Sequence, residues 1–160
     1  MKGFTLIEVL IVLLIVAIAG FLAFPSLTNR IDREVNFFNE LNQTAEQLSL
    51  LSGNQTICVN FADNTISISG TLLKSPYKVE YLLSPSILIS SKFSEKKCLN
   101  FSQQPTVVSI IFSKEKDTFI GYTILTSTGS AIKQELDEAE METFKDKIYK
   151  GRVLEWFKHH

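Results

Sequence analysis

Residues 1–25 read MKGFTLIEVLIVLLIVAIAGFLAFP, and this stretch decides how the rest of the chain is read. Between Phe4 and Phe24 the only ionisable side chain is Glu8 and the only hydroxyl is Thr5. As a helix the run is about 31 Å long, enough to cross a ~30 Å hydrocarbon core. It is apolar all round, the pattern of a helix in lipid rather than of one resting on a protein core. Lys2, the one positive charge ahead of it, favours a cytoplasmic N-terminus. Two plain readings compete. One is a cleaved secretory signal, with Ala17-Ile18-Ala19 as the small-x-small site. The other is a simple membrane anchor. Glu8 argues against both. A carboxylate in an apolar span costs roughly 2.5–3.5 kcal/mol near the helix centre, somewhat less near an end, and neither reading gives it a purpose. An acid in such a place calls for a positive partner.

Gly3-Phe4-Thr5-Leu6-Ile7-Glu8 resembles the processing motif of type IV prepilins and pseudopilins. The resemblance implies cleavage after Gly3 by a membrane-embedded prepilin peptidase and N-methylation of the new first residue, Phe4. It implies that Glu8 meets the amine of Phe4 in a neighbouring subunit. Such a pairing is rewarded only when subunits align in register, so the acid specifies assembly more than it stabilises the monomer. Pro25 stands where many pilins bend their helix. A proline inside a helix removes one hydrogen bond and crowds the preceding turn. Gly20 adds a second weak point, by ~1 kcal/mol relative to alanine. The leader Met1-Lys2-Gly3 is short and weakly basic beside most of that family. The implied partners are the peptidase, other pilin or pseudopilin subunits and an inner-membrane assembly platform, with no cofactor.

Beyond Pro25 the chain turns amphipathic. Leu27, Ile31, Val35, Phe38, Leu41, Ala45, Leu48 and Leu51 follow steps of three and four. The stripe reads as the face that docks on the protein's own sheet, with a coiled-coil seam as the alternative. Gly53-Asn54 is the stop signal. The expected helix runs from about Phe4 to Ser52, near 73 Å if straight.

From Gln55 the period changes to two. Residues 56–61 and 65–69, separated by Asp63-Asn64, read as a hairpin that Gly70 ends. Further strand candidates are Tyr77–Leu83, Ile87–Ser91, Val107–Phe112 and Phe119–Leu125, with Pro76, Pro85 and Pro105 at their boundaries. Residues 131–147, carrying Glu135, Asp137, Glu138, Glu140 and Glu142, read as a solvated helix or an acidic loop. Their pattern lacks the glycine of a calcium loop. Residues 147–156 read as a last hairpin or strand. One long helix followed by strands gives an α+β fold, with an antiparallel sheet on the helix. The expected organisation is a leader at 1–3, a membrane or filament-core helix at 4–24, its amphipathic continuation at 25–53 and a β-rich domain at 54–160 outside the cytoplasm. The layout resembles the GspH/FimT group of minor pilins and pseudopilins, which share the long helix, the early hairpin and a late Gly-Arg-Val-like strand.

The two cysteines, Cys58 and Cys98, match no zinc, haem or redox spacing. Outside the cytoplasm a disulfide between them is plausible, worth on the order of 3–4 kcal/mol; two buried free thiols are the alternative.

The formal net charge is −1, so the chain as a whole is not built for polyanions. The only histidines, His159 and His160, close the sequence and read as native residues or the stub of a tag. There is thus no internal histidine for base work, no phosphate-binding glycine loop and no metal-ligand cluster, and an enzyme is not expected. The expected role is a minor pilin or pseudopilin of a pilus or type II secretion filament. The competing role is a DNA-uptake pilin using Lys147, Lys150, Arg152 and Lys158 with the interleaved Tyr149, Trp156 and Phe157. Against it stand the acids just upstream, and an ordinary exposed strand explains the same residues. A third role is the filament's main building block.

Overall fold

The computed structural model describes residues 6–50, 55–92, 95–101 and 107–158. The Gly3–Phe4 junction, the Gly53-Asn54 stop, Pro105 and the two histidines lie outside them. The chain forms two compact units, one up to Asn36 and one from Phe37.

The first unit is helical. Helix α1 (Leu6–Leu50) begins in it and is unbroken through Gly20 and Pro25. Every residue from Leu6 to Gly20 is exposed. Ile31 and Val35, expected to dock on the sheet, are 60% and 51% exposed. This corrects the length of the docking stripe. The buried part of the stripe lies in the second unit, at Phe38, Leu41, Ala45 and Leu48.

The second unit has three layers. Two sheets replace the single one expected. The first contains β1 (Gln55–Asn60), β2 (Thr65–Ile68), β3 (Thr71–Lys74) and β6 (Lys96–Phe101), in the order β3-β2-β1-β6. The second contains β4 (Lys78–Ser84), β5 (Ile87–Ser90), β7 (Val107–Glu115), β8 (Thr118–Leu125) and β9 (Ser130–Asp137), in the order β5-β4-β7-β8-β9. All pairings are antiparallel.

The five-stranded sheet is the middle layer. Val108, Ile110, Phe112, Ile120, Tyr122 and Ile124 share one core with Phe38, Leu41, Ala45 and Leu48 of α1 and with Ile57, Val59, Ile66 and Ile68 of the smaller sheet. Ile111 and Leu83 point the other way, into a second core with Met141, Phe144, Ile148, Val153 and Trp156. Burial on both faces explains why VVSIIF in β7 is a near-continuous apolar run rather than an alternating one. The polar pair Ser109 and Thr123 lies directly opposite in register and is satisfied by a 2.8 Å hydroxyl–hydroxyl bond.

The second core is covered by α2 (Glu138–Tyr149) and α3 (Val153–Phe157). Residues 147–156, expected to be a hairpin or strand, are therefore a helix end, a turn and a second helix. The local chemistry is clear. Asp137 and Glu140 form a capping box at the start of α2. At its end Gly151 has φ +70°. Its N–H bonds the Ile148 carbonyl, and the Arg152 N–H bonds the Lys147 carbonyl. That is the Schellman pattern, for which glycine is the preferred residue. The ambiguous stretch before it divides at Asp137, with strand β9 on one side and helix on the other. The second strand of the early hairpin stops just before Gly70, as expected, and the sheet then continues into a third strand. Ser69 and Gly70, both at positive φ, make a tight two-residue turn into β3.

Candidate functional site

Two regions carry the sequence-level expectations. At the N-terminus Glu8 lies in the first turn of α1, where the helix dipole favours a negative charge. It is followed by twelve exposed residues up to Gly20, all of them apolar or small. Leu10, Leu13, Leu14, Ile15 and Val16 are each more than half exposed, so the unit itself offers no cover for this surface. Among the described residues, no helix is long and apolar enough to cross a membrane.

The C-terminal stretch is organised differently from an open basic strand. Lys147 pairs with Glu155 and Lys150 with Asp146, each at 2.8 Å. Lys145 is buried, paired with Glu142 and set over the Tyr81 ring at 4.3 Å. Trp156 is only 4% exposed; it packs edge-on against Phe144, with ring centroids 5.4 Å apart, and its indole N–H donates to Gln134. Arg152 and Lys158 are exposed on either side of α3. The cation–aromatic surface of the competing DNA-uptake reading does not form, because the largest aromatic is a core residue and two of the cations have carboxylate partners.

Cys58 and Cys98 lie directly opposite each other in β1 and β6 and are joined as a disulfide, with the sulfurs 2.04 Å apart. The alternative of two buried thiols is not what the fold contains. Cys98 is exposed on an edge strand and Cys58 half-buried beside it. Among the described residues no group of three or more His, Cys, Asp or Glu side chains is arranged to hold a metal ion.

The fold also gathers residues the sequence scatters. Lys74, Thr65, Asn60 and Lys96 form one row across the smaller sheet. Lys78 and Lys92 line a cleft of about 260 Å³ with Phe61, Ala62, Ser91 and Glu95. No spacing rule links lysines at these positions, and only strand pairing brings them together.

No curated protein and no solved structure matches this chain. Residues 1–24 match the model of the prokaryotic N-terminal methylation motif. Proteins with this motif are structural subunits and not enzymes. The motif implies processing by prepilin peptidase and assembly with other pilins. With an α+β domain whose helix packs on antiparallel sheets, as in a pilin fold, the match supports a type IV pilin-like prepilin.

Proposed function

We propose that this chain is a minor pilin or pseudopilin, a structural subunit of a type IV pilus or a type II secretion filament. Prepilin peptidase cuts after Gly3 and methylates Phe4. Glu8 then pairs with the Phe4 amine of a neighbouring subunit. Residues 4–24 hold the subunit in the inner membrane before assembly and enter the filament core afterwards. The domain stands on the periplasmic or extracellular side, a setting that suits its disulfide. The single observation carrying this reading is the methylation motif at residues 1–24, within which Leu6 to Gly20 form an apolar helix exposed on all sides.

Membership of the GspH/FimT group rests on less than the sequence suggested. The long helix and the early hairpin support it. Gly151-Arg152-Val153, read as a late strand, joins two helices instead. The DNA-uptake reading loses Trp156 to the core and has Lys147 and Lys150 engaged by carboxylates.

The test replaces Gly3 and Glu8 separately by alanine in cells that make the filament. Gly3→Ala should accumulate unprocessed, unmethylated precursor. Glu8→Ala should be processed and yet fail to enter filaments. Normal incorporation of the Glu8→Ala subunit would refute the assembly role of this carboxylate.

A further inference from the structure

The cleft beside Phe61 lies where the chain passes from one sheet of the second unit to the other. Phe61 and Ala62 follow β1, Lys78 opens β4, Ser91 and Lys92 follow β5, and Glu95 precedes β6. Its walls are ladder ends. The Phe61 N–H donates to the Glu95 carbonyl at 2.7 Å, one rung beyond the β1–β6 pairing. The Ser91 N–H donates to the Glu80 carbonyl at 2.9 Å, one rung beyond the β4–β5 pairing. Hydrogen bonding thus fixes the backbone on both sides.

The charges of the cleft are of two kinds. Lys78 is engaged: one Glu80 carboxylate oxygen holds its ammonium at 2.7 Å, and the other accepts the Ser91 hydroxyl at 2.9 Å. Lys92 and Glu95 are not engaged. Both are exposed, neither side chain has a hydrogen-bond or ion-pair partner among the described residues, and they do not pair with each other. Two opposite charges that line one small cleft without meeting leave a place for a molecule that carries both. The apolar part of the lining is the exposed Ala62 and Phe61, whose ring belongs to the core.

We propose that this cleft binds a small zwitterion, a molecule with an ammonium and an oxyanion a few bonds apart on a short apolar body. Lys92 takes the oxyanion, Glu95 takes the ammonium, and the body lies against Ala62 and Phe61. The volume of about 260 Å³ is at the small end of ligand sites, which run from roughly 300 to 1,000 Å³, and suits a molecule the size of one amino acid. Charge selects the class. With Lys78 neutralised by Glu80, one cation and one anion stay open. A simple anion, a nucleic-acid phosphate included, satisfies Lys92 and faces Glu95; a simple cation does the reverse. Only a ligand of both signs leaves neither charge facing its like. Both open charges are solvated and screened, so binding is weak, with Kd about 1 mM. A free α-amino acid and the ethanolamine phosphate head of a phospholipid share this chemistry. The inference goes beyond the filament reading and does not rest on it, since every residue it uses is outside residues 1–24.

The test follows amide shifts of the full-length ¹⁵N-labelled chain in detergent during titration with L-leucine and, separately, with glycerophosphoethanolamine. Shifts at Ala62, Ser91, Lys92 and Glu95 should saturate with at least one of them, and the tighter of the two identifies the source. Isocaproate, which is leucine without its amine, and isoamylamine, which is leucine without its carboxylate, should each bind roughly threefold or more weakly than leucine, the worth of one exposed ion contact. Glu95→Gln should abolish the preference for leucine over isocaproate, and Lys92→Gln the preference over isoamylamine. Lys97→Gln, an exposed lysine outside the cleft, should bind as the wild type does. All three variants should melt with the wild type, because each side chain is exposed. Shifts that are absent with both zwitterions, or that centre on other residues, overturn the inference. So does isocaproate or isoamylamine binding as tightly as leucine, which would make the cleft a simple ion site, and so does unchanged selectivity in Lys92→Gln and Glu95→Gln.

Discussion

Gly129 sits directly on the backbone of α1: a Cβ built on it would lie 2.8 Å from the Glu46 Cα and 2.9 Å from the Ala45 carbonyl oxygen. The neighbour is backbone, so it cannot swing aside as a side chain can. Gly129 also has φ +68°, which L-residues adopt at a cost of roughly 1 kcal/mol. The turn between β8 and β9 thus touches the helix because its residue has no side chain. Gly129→Ala should cost about 2–4 kcal/mol from clash and backbone strain together. In thermal melts of the purified chain in mild detergent, that is a fall of roughly 8–15 °C. An unchanged midpoint would mean that the turn and helix are not in contact.

Tyr122 makes the second tie between sheet and helix. Its ring is buried against Phe38, and its hydroxyl donates to the Asn42 side chain. Burial, with the Glu46 charge adding to it, pushes the hydroxyl well above its ordinary value of 10.0. The unfolded chain therefore releases this proton near pH 10, and the folded chain holds it. Stability from this group is complete below about pH 10 and is lost above it, by about 1.4 kcal/mol per pH unit. Tyr122→Phe should cost about 1 kcal/mol at neutral pH through the lost hydrogen bond. Its stability should also fall less steeply between pH 10 and 11 than the wild type's, by about one proton's worth. Parallel alkaline limbs in urea titrations would contradict the assignment.

These two contacts also mark where the sequence is legible and where it is not. The α1 stripe is visible as three- and four-residue steps, and Leu41, Ala45 and Leu48 are fully buried as those steps require. The stripe's length is not visible, because the same steps run through the exposed Ile31 and Val35. Strand β9 is hidden by its own exposure: Lys133, Gln134 and Glu135 fill an edge, and their helix-favouring chemistry masks the alternation of Ile132 and Leu136. The α2–α3 layer is disguised because Gly151 and the apolar Val153 look like a strand opening, and the partner that makes them a helix end is the Lys147 carbonyl. At the N-terminus the motif is legible because its chemistry is local, a cleavable junction and an acid a fixed distance beyond it. The row that sets Lys74, Thr65, Asn60 and Lys96 side by side is not, since strand pairing alone assembles it.

The disulfide gives a third prediction. Cys58 and Cys98 are 40 residues apart in the chain, and the ladder that holds β6 to β1 runs from Gln55–Phe101 to Asn60–Lys96. Removing the cross-link should cost up to ~4 kcal/mol in the chain-entropy model. The ladder and the buried Leu99 remain, so the fold should persist in reductant with a lower melting point. The Cys58→Ser/Cys98→Ser variant should melt where the reduced wild type does and ignore reductant. Equal melting of the oxidised and reduced wild type would show that the bond contributes nothing to stability.

The last prediction concerns Trp156, the only tryptophan in the chain and so a probe without background. If the C-terminal stretch were a binding surface, this ring would face water. It instead fills the space between Phe144 and the Gln134 side chain under α3. Its emission should be blue-shifted and resistant to iodide, and should shift red only as the domain unfolds. Trp156→Ala should cost about 3–5 kcal/mol, the usual range for emptying an aromatic site in a core. Trp156→Phe keeps the edge-on ring contact and loses the N–H donor, leaving the Gln134 amide oxygen to find water. It should therefore cost about 1–2 kcal/mol. Lys150→Ala, which removes only an exposed partner of Asp146, should stay within about 0.5 kcal/mol of wild type. In urea midpoints Trp156→Ala should be the least stable, Trp156→Phe intermediate and Lys150→Ala the most stable, as a core residue beside a solvated ion pair requires. A Trp156→Ala domain as stable as Lys150→Ala would return the stretch to the surface.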